Sequence, residues 1–364
     1  MTTTDARPAA AGAVDPARVQ EFAGQMFGAL SAGATTLMVS IGHRTGLFDT
    51  LAGLPPSTSA QIAAEAGLHE RYVREWLGAM TAARIVTYDP ATATYLIPPE
   101  HAAVLTRAAG PDNLASLMQF VPLLAGVQDP VVRCFREGGG VGYPAFDRFH
   151  DLMAEQSAQT NDAALIDRVV PLVPGLAARL AEGIRLADIG CGQGHAVNLL
   201  AREYPRSELV GYDFEADAVE AARAEAREWN LPNARFEVRD VADLAGTGTF
   251  GAITAFDAIH DQAHPAAVLS EVAAHLDPDG VFLMVDMRAS SDLEKNLEIP
   301  WAPYLYTVST MHCMTVSLGL DGDGLGTVWG VETALRMLAE AGFEDVRVET
   351  LDEDFINAYF VARR

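Results

Sequence analysis

The sequence predicts an α/β fold in which a mostly parallel, seven-stranded sheet follows a smaller helical domain. Three observations carry this. From residue 184 onward short apolar runs alternate with amphipathic helical segments. A glycine-rich turn, Asp188-Ile189-Gly190-Cys191-Gly192-Gln193-Gly194, follows the first of those runs. The first hundred residues are ordered as helix, turn, helix and hairpin. Strand–helix alternation of this kind implies parallel strands covered on both faces.

Residues 1–16 are small, polar and Ala-rich, with no charged start leading into an apolar core, and read as a disordered tail rather than a leader. Residues 23–42 are apolar but interrupted by Gln25, Ser31, Thr35, Thr36 and Ser40, which favours a buried helix over a membrane span. Ser57 or Thr58 caps the next clear helix and Gly67 ends it. Residues 70–83 place Tyr72, Val73, Trp76, Leu77 and Met80 at helical spacing. Residues 85–88 and 94–97, with a turn at Asp89-Pro90, form a short hairpin. The order is that of a winged helix and gives a domain over 17–105.

Residues 106–183 read as helical, broken by Pro122, Pro130, Pro144, Pro171 and Pro174 and by the flexible Gly138-Gly139-Gly140. This region is read as a helical linker between the two domains. In the third region, 184–364, strands are expected at 185–189, 208–212, 235–238, 252–256, 281–286, 345–349 and 358–362. Helices follow the first, second, fourth and fifth, and the last two strands make an antiparallel hairpin.

Bulk properties narrow the function classes. Lys and Arg total 25 of 364 residues against 49 Asp and Glu, a formal charge of −24. Such a surface repels phosphate backbones and anionic membranes, so neither nucleic acid nor a membrane is the expected partner. Cys134, Cys191 and Cys313 are far apart and in no ligand-like spacing, which fits a reducing compartment and a soluble, cytoplasmic protein.

Ligands in sheets of this type bind beyond the carboxyl ends of the strands. Gly190, Gly192 and Gly194 sit there, and glycine lets backbone turn tightly and approach a ligand. Alone, the turn also fits dinucleotide enzymes. Asp188 adds a carboxylate before the glycines, suited to a ligand carrying ammonium and sulfonium groups. Asp213 ends the second strand, placed to accept ribose hydroxyls. Asp240 follows the third, where it suits an adenine amino group, with the Val241 amide beside it. Cys191, Phe214 and Phe256, at the ends of the first, second and fourth strands, complete the candidate set. The bland alternative is that Asp213 and Asp240 are solvated strand-end acids and that Asp188 caps a turn.

This pattern resembles the class I S-adenosylmethionine (SAM)-dependent methyltransferases across 184–364, which implies a Rossmann-like sheet and SAM as cofactor. A winged-helix domain ahead of it resembles the small-molecule O-methyltransferases. In that family an Ile/Leu-x-His-Asp stretch after the fourth strand supplies the base that deprotonates the acceptor hydroxyl. Ala258-Ile259-His260-Asp261 matches, so the resemblance implies His260 as base, with a loop-structural role as the alternative. Gln262 replaces the family's usual aromatic residue, and no supporting acid can be matched. Asp257, His260, Asp261 and His264 also invite a metal reading, but Pro265 turns the chain and no further ligand is fixed, so no metal is assigned. Asp321-Gly322-Asp323-Gly324 is read as a turn.

The acceptor pocket is expected from the 287–330 insertion, a lid carrying Tyr304, His312 and Trp329, and from Phe149 and Met153 in the preceding helix. The resemblance implies a small, apolar or aromatic acceptor and homodimerisation through the winged-helix domain, with Trp76 and Met80 suited to the seam. It also extends to bacterial winged-helix methyltransferases of undefined acceptor. Two other readings stand: a SAM-sensing transcriptional regulator using residues 70–83 as recognition helix, and a SAM-fold enzyme with non-methylating chemistry.

Overall fold

The structure is a computed structural model that describes residues 14–364. The expected tail therefore lies outside the described residues up to residue 13. Beyond it Asp15 already caps a helix, its carboxylate accepting from Ala17 N at 2.9 Å. The chain divides into two compact units at Thr106 and Arg107.

The first unit contains helices α1 (Pro16–Arg44), α2 (Leu47–Gly53), α3 (Ser59–Ala66) and α4 (Glu70–Ala82), then strands β1 (Thr87–Asp89) and β2 (Thr94–Leu96). Thr58 and Gln61 form a reciprocal capping box at the start of α3, and Gly67 ends it in a left-handed conformation. The strands pair antiparallel, with Tyr88 against Tyr95. Phe48, Ile62, Val73, Trp76, Leu77 and Met80 make the core. The Trp76 indole donates to the Met38 carbonyl at 2.8 Å. A Cβ on Gly42 would fall 2.5 Å from the Trp76 ring, so this glycine sets the approach of α1 to α4.

Two expectations are corrected here. Trp76 and Met80 are not seam residues: they are 2% and 0% exposed within their own unit. The helix over 23–42 is not buried along its length. Only its last stretch, with Val39, Ser40, Gly42 and His43, is covered, whereas Val19, Phe22, Met26, Phe27 and Leu30 are exposed. The three helices that follow are short and reach only the C-terminal third of a 29-residue helix.

The second unit is built on one sheet of seven strands: β3 (Arg185–Ile189), β4 (Glu208–Asp213), β5 (Ala234–Val238), β6 (Phe250–Phe256), β7 (Leu276–Met287), β8 (Asp345–Leu351) and β9 (Asp354–Arg363). Their order is β5-β4-β3-β6-β7-β9-β8. The first five are parallel, and β9 runs antiparallel to both β7 and β8. Alternate residues feed two cores. Ala187, Ile189, Val210, Tyr212, Phe282 and Met284 join one, while Leu186, Leu209, Val281, Leu283 and Val285 join the other. Sheet order reverses between β3 and β6, so the ligand crevice opens above these two strands.

The 287–330 insertion folds as helices Leu293–Asn296, Ala302–Val308 and Met314–Gly319, with a wide helical turn at Ser309–Cys313. Val316 packs with Leu124, Val127, Val131, Val141 and Phe146. Close approach here needs Gly140, whose Cβ would lie 2.0 Å from the Thr315 carbonyl oxygen. Among the described residues no single helix is long and apolar enough to cross a membrane.

Candidate active site

Above β3 the glycine turn takes the shape its composition allows. Gly190, Gly192 and Gly194 all have positive φ, 67°, 53° and 73°. A Cβ on Gly190 would meet Ala258 at 2.5 Å, and one on Gly194 would meet Phe236 at 2.4 Å and Ala222 at 2.5 Å. Gly192 has nothing within 4 Å of its Cβ position, so that face of the turn is open. The turn is tied to β4, because Asp213 Oδ2 accepts from Gly192 N at 2.8 Å and Oδ1 from Glu215 N at 2.9 Å. Cys191 N donates to the Tyr212 carbonyl at 3.0 Å. The Cys191 thiol is pushed well up by burial and by Asp188 and Asp213.

Asp188 is 3% exposed and accepts from Thr254 Oγ1 at 2.6 Å. Burial pushes its carboxyl to about 7 against the opposing Thr254 bond, and the Asp213 charge adds to the rise. A cationic group above the turn would return it to the ionised form. Asp240 is exposed, with Oδ1 accepting from Ala242 N at 2.9 Å. Val241 is buried in the core, Phe256 is half-buried, and Phe214 is partly exposed with its ring 5.5 Å from that of Tyr143. The cofactor candidates from β3 and β4 thus converge on one turn, while Asp240 and Val241 stand beyond β5.

The loop after β6 holds the acid–base groups. Asp257 opens it in a left-handed conformation, φ 52°, and its carboxyl is pushed to about 7 by burial and the Asp286 charge. His260 is 3% exposed, and its Nδ1 meets Asp286 Oδ1 and Oδ2 at 2.9 and 3.0 Å. Asp286 also accepts from the Trp329 indole at 3.1 Å and from Met287 N at 2.8 Å. Burial opposes a charged imidazole, but Asp286 and then Cys313 outweigh it and hold His260 well above the usual histidine range. Asp261 turns the other way and accepts from the Tyr143 hydroxyl at 2.7 Å. His264 is exposed, 3.7 Å from Asp323. Of the four residues that invited a metal reading, His260, Asp261 and His264 face separate partners, and Asp257 Oδ1 is buried without a hydrogen-bond partner. Gln262, in the place of an aromatic residue, donates to the Ala258 carbonyl at 2.7 Å, and its own carbonyl accepts from Ser317 Oγ at 2.8 Å.

The pocket candidates separate into two groups. His312 stacks on Phe149 with ring centres 3.9 Å apart, and Tyr143 and Phe146 stand edge-on to it. Burial, with the charges of His260 and His150, holds His312 down at about 3, so it is neutral. Met153 lies one helical turn beyond Phe149 and is half-buried. Tyr304 meets Phe120 edge-on at 6.5 Å. Trp329 is different: it is 5% exposed, belongs to the sheet core and holds Asp286 from below. Asp286, Tyr143, Thr254 and Cys313 were not singled out from the sequence. Asp286 was open to discovery by the signal that marked Asp213, an acid at the carboxyl end of a parallel strand.

Comparison with known families matches residues 33–107 to an Rv2258c-like winged HTH domain and residues 180–349 to a methyltransferase domain. The chain carries a winged HTH domain followed by a methyltransferase domain. Its methyltransferase domain is similar to trans-aconitate 2-methyltransferase of Deinococcus radiodurans, 29% identical over 153 residues, or 40% of this chain and 50% of that protein. It is 31% identical over 113 residues to a fatty-acid O-methyltransferase of Mycolicibacterium smegmatis, 31% of this chain and 40% of that one. A trans-aconitate 2-methyltransferase of Variovorax paradoxus is 46% identical over 66 residues, 18% of this chain and 24% of that one. The chain thus spans half or less of the length of these curated relatives. Over whole chains, human N-acetylserotonin methyltransferase in complex with SAM has the same fold, with a TM-score of 0.67 at 15% identity, covering 97% of this chain and 99% of that one. So does an O-methyltransferase family protein of Burkholderia thailandensis, TM-score 0.68 at 15% identity, covering 96% and 98%.

Proposed function

We propose that this chain is a SAM-dependent methyltransferase that transfers a methyl group to an oxygen of a small acceptor, with His260 as the base. The observation that carries the reading is the convergence of two built features on one end of the sheet. One is a glycine turn bracketed by Asp188 and Asp213; the other is a buried His260–Asp286 pair one strand away. A buried carboxyl at about 7 and an open Gly192 face fit a ligand that brings positive charge and needs close backbone approach. SAM, when bound, supplies an electrophilic methyl group on a good leaving group.

The chain's own residues then align the acceptor, exclude water and take one proton. With Nδ1 bonded to Asp286, Nε2 of the imidazole is the nitrogen that accepts the hydroxyl proton, and Asp286 stabilises the imidazolium that results. Bound SAM would supply its methyl carbon to the acceptor oxygen, and the carbon–sulfur electron pair would leave on sulfur. The aromatic wall of Tyr143, Phe146, Phe149 and neutral His312 suits a flat, apolar acceptor. Asp240 and Val241 on the adenine side, and Phe214 and Phe256 beside the ribose and methyl group, complete the assignment. The residue blocks 17–105, 106–183 and 184–364 are proposed to serve as dimerisation domain, pocket-lining linker and catalytic domain with its 287–330 lid.

A second copy of this chain is proposed to cover α1. Val19, Phe22, Met26 and Leu30 recur at helical spacing and are all exposed, an apolar stripe along one face of the helix that the same face of a second copy would cover. A DNA-binding role is less well supported: Arg71 pairs with Glu75 and Arg74 with Glu70, so the arginines of α4 are already engaged by carboxylates. Incubation with SAM labelled in the methyl group and a panel of phenolic and carboxylic acceptors tests the proposal. Label appearing on an acceptor oxygen supports it, and none with any acceptor, despite SAM binding, counts against it.

A further inference from the structure

The helix that begins where the glycine turn ends opens on a histidine with a carboxylate at each ring nitrogen. Gly194 leaves the turn in a left-handed conformation and caps helix His195–Glu203. His195 is thereby set between two neighbouring helices. Its Nδ1 lies 2.7 Å from Glu225 Oε1 in helix Ala216–Glu228, and its Nε2 lies 3.2 Å from Asp162 Oδ1 in helix Phe149–Ala164. The His195 side chain is only 15% exposed. The proposed methyl transfer uses none of these three residues.

A neutral imidazole carries one N–H, and an ionised carboxylate only accepts. No neutral tautomer satisfies both contacts; the imidazolium does. Helix dipoles alone oppose the arrangement, because a cation opens one helix and a carboxylate stands in the last turn of another. The two charges offset that cost only as a pair. Glu225 is fixed independently: its Oε2 accepts at 2.8 Å from Nδ2 of the buried Asn198, which also donates to the Ala222 carbonyl at 3.2 Å. Burial opposes charge on both partners. The bonds from His195 and Asn198 outweigh it and hold Glu225 below the usual carboxylate range, while Glu225 and then Asp162 hold His195 above the usual histidine range. Trp229 stands edge-on to the imidazole at 5.5 Å, and Arg202, from the same helix as His195, lies over that indole at 4.4 Å. Arg168, just beyond helix Phe149–Ala164, is paired with Glu353.

We propose that His195 is a positioning residue of the cofactor site, an imidazolium clamp that ties the glycine turn to the helix bearing Phe149 and Met153. This rests on the reading of that turn as the SAM site. Asp213 holds the turn from β4, and Gly194 packs it against Ala222. His195 adds a third attachment, to the helix proposed to wall the acceptor pocket. Phe149 and Asp162 lie on that one helix, so seating its last turn helps seat the acceptor wall. Because the clamp needs the proton, it is closed at low pH and opens as pH rises through the raised midpoint of the imidazole. The neutral ring keeps Nδ1–H on Glu225 and releases Asp162, since a lone pair then faces a carboxylate.

Full-length protein labelled with ¹³C-histidine is titrated with pH, the His195 ring signal being identified by its loss in His195→Gln. Its midpoint should lie above the ordinary imidazole value of about 6.5. It should fall by about half a unit or more in Asp162→Asn and further in Glu225→Gln, the direction expected when negative charge beside an imidazole is removed. Asp151→Asn, at an exposed position on the same helix as Asp162, should leave it unchanged. A midpoint at the ordinary value, or one that Asp162→Asn does not move, overturns the clamp. Calorimetry then tests the positioning role. Asp162→Asn should weaken SAM binding about two- to fivefold below the midpoint, the worth of an exposed ion pair. Above the midpoint, where wild type has already released the contact, the two proteins should bind alike. The titration of Asp188 is common to both and cancels in their ratio. Equal affinity on both sides of the midpoint overturns the positioning role. Failure of wild type to bind SAM overturns the cofactor reading instead and leaves the titration result standing.

Discussion

Replacing Asp213 with alanine removes both bonds that hold the glycine turn in place, to Gly192 N at 2.8 Å and Glu215 N at 2.9 Å. Asp213 is 9% exposed, so water does not readily replace the lost acceptor. Hydrogen bonds to a charged acceptor contribute about 1.5–3 kcal/mol each. Two of them therefore correspond to roughly 3 kcal/mol or more of turn ordering. Paid at the moment of binding, that cost alone raises the Kd for SAM by about 10²-fold, before any contact of Asp213 with the ribose is counted. Asp213→Asn should recover little, since one of its two positions now presents an N–H to a backbone N–H. Isothermal calorimetry with SAM and with its demethylated product measures the effect, and circular dichroism confirms the fold. Wild-type affinity in a folded Asp213→Ala would refute the assignment of this turn as the cofactor site.

Further outcomes follow from the same geometry. Gly192→Val puts a branched side chain where φ is +53°, a strain of about 1–2 kcal/mol, and fills the open face of the turn; calorimetry should detect no SAM binding. Because Asp188 titrates at about 7 and must ionise to serve a cationic ligand, SAM affinity should fall as pH drops below 7, by up to about tenfold per pH unit, with proton release on binding; Asp188→Asn should bind weakly and lose the pH dependence. His260→Ala and Asp286→Asn should each lower turnover by about 10²-fold or more while SAM affinity changes little, since the first removes the base and the second favours the wrong tautomer. The raised imidazole predicts that kcat/KM climbs with pH through a limb above the usual histidine range, because only the neutral ring accepts a proton. Phe22→Glu with Leu30→Glu should convert a dimer to monomer in sedimentation velocity, and an unchanged mass would remove α1 from the interface.

Much of the sheet was legible because its signals are local. Apolar runs bounded by turns locate β3 to β9 to within a few residues, and β7 begins earlier than expected because Leu276 pairs with Phe250 before an irregularity at Gly251. The glycine turn and Asp213 were legible for the same reason: each lies within a few residues of the strand end that defines it. Helical spacing showed that Trp76 and Met80 share a face, yet not what that face meets. Their own unit buries them, while the exposed stripe belongs to α1. The pairing of His260 with Asp286, 26 residues away, and of Cys313 with Thr327 depends on the return path of the 287–330 insertion. Trp329 shows the limit most plainly. An aromatic residue at the end of that insertion reads as a pocket wall, but its indole lies under Asp286, where a buried N–H finds its acceptor.

The most direct test of the account is transfer itself. The protein is incubated with SAM carrying a deuterated methyl group and a small-molecule extract of producing cells, and labelled products are identified by mass spectrometry. One or a few small molecules should be labelled on oxygen, with labelling abolished in Asp213→Ala and strongly reduced in His260→Ala. Binding of SAM without any labelled product, together with retention on genomic DNA fragments at physiological salt, would contradict it and favour a SAM-sensing regulator.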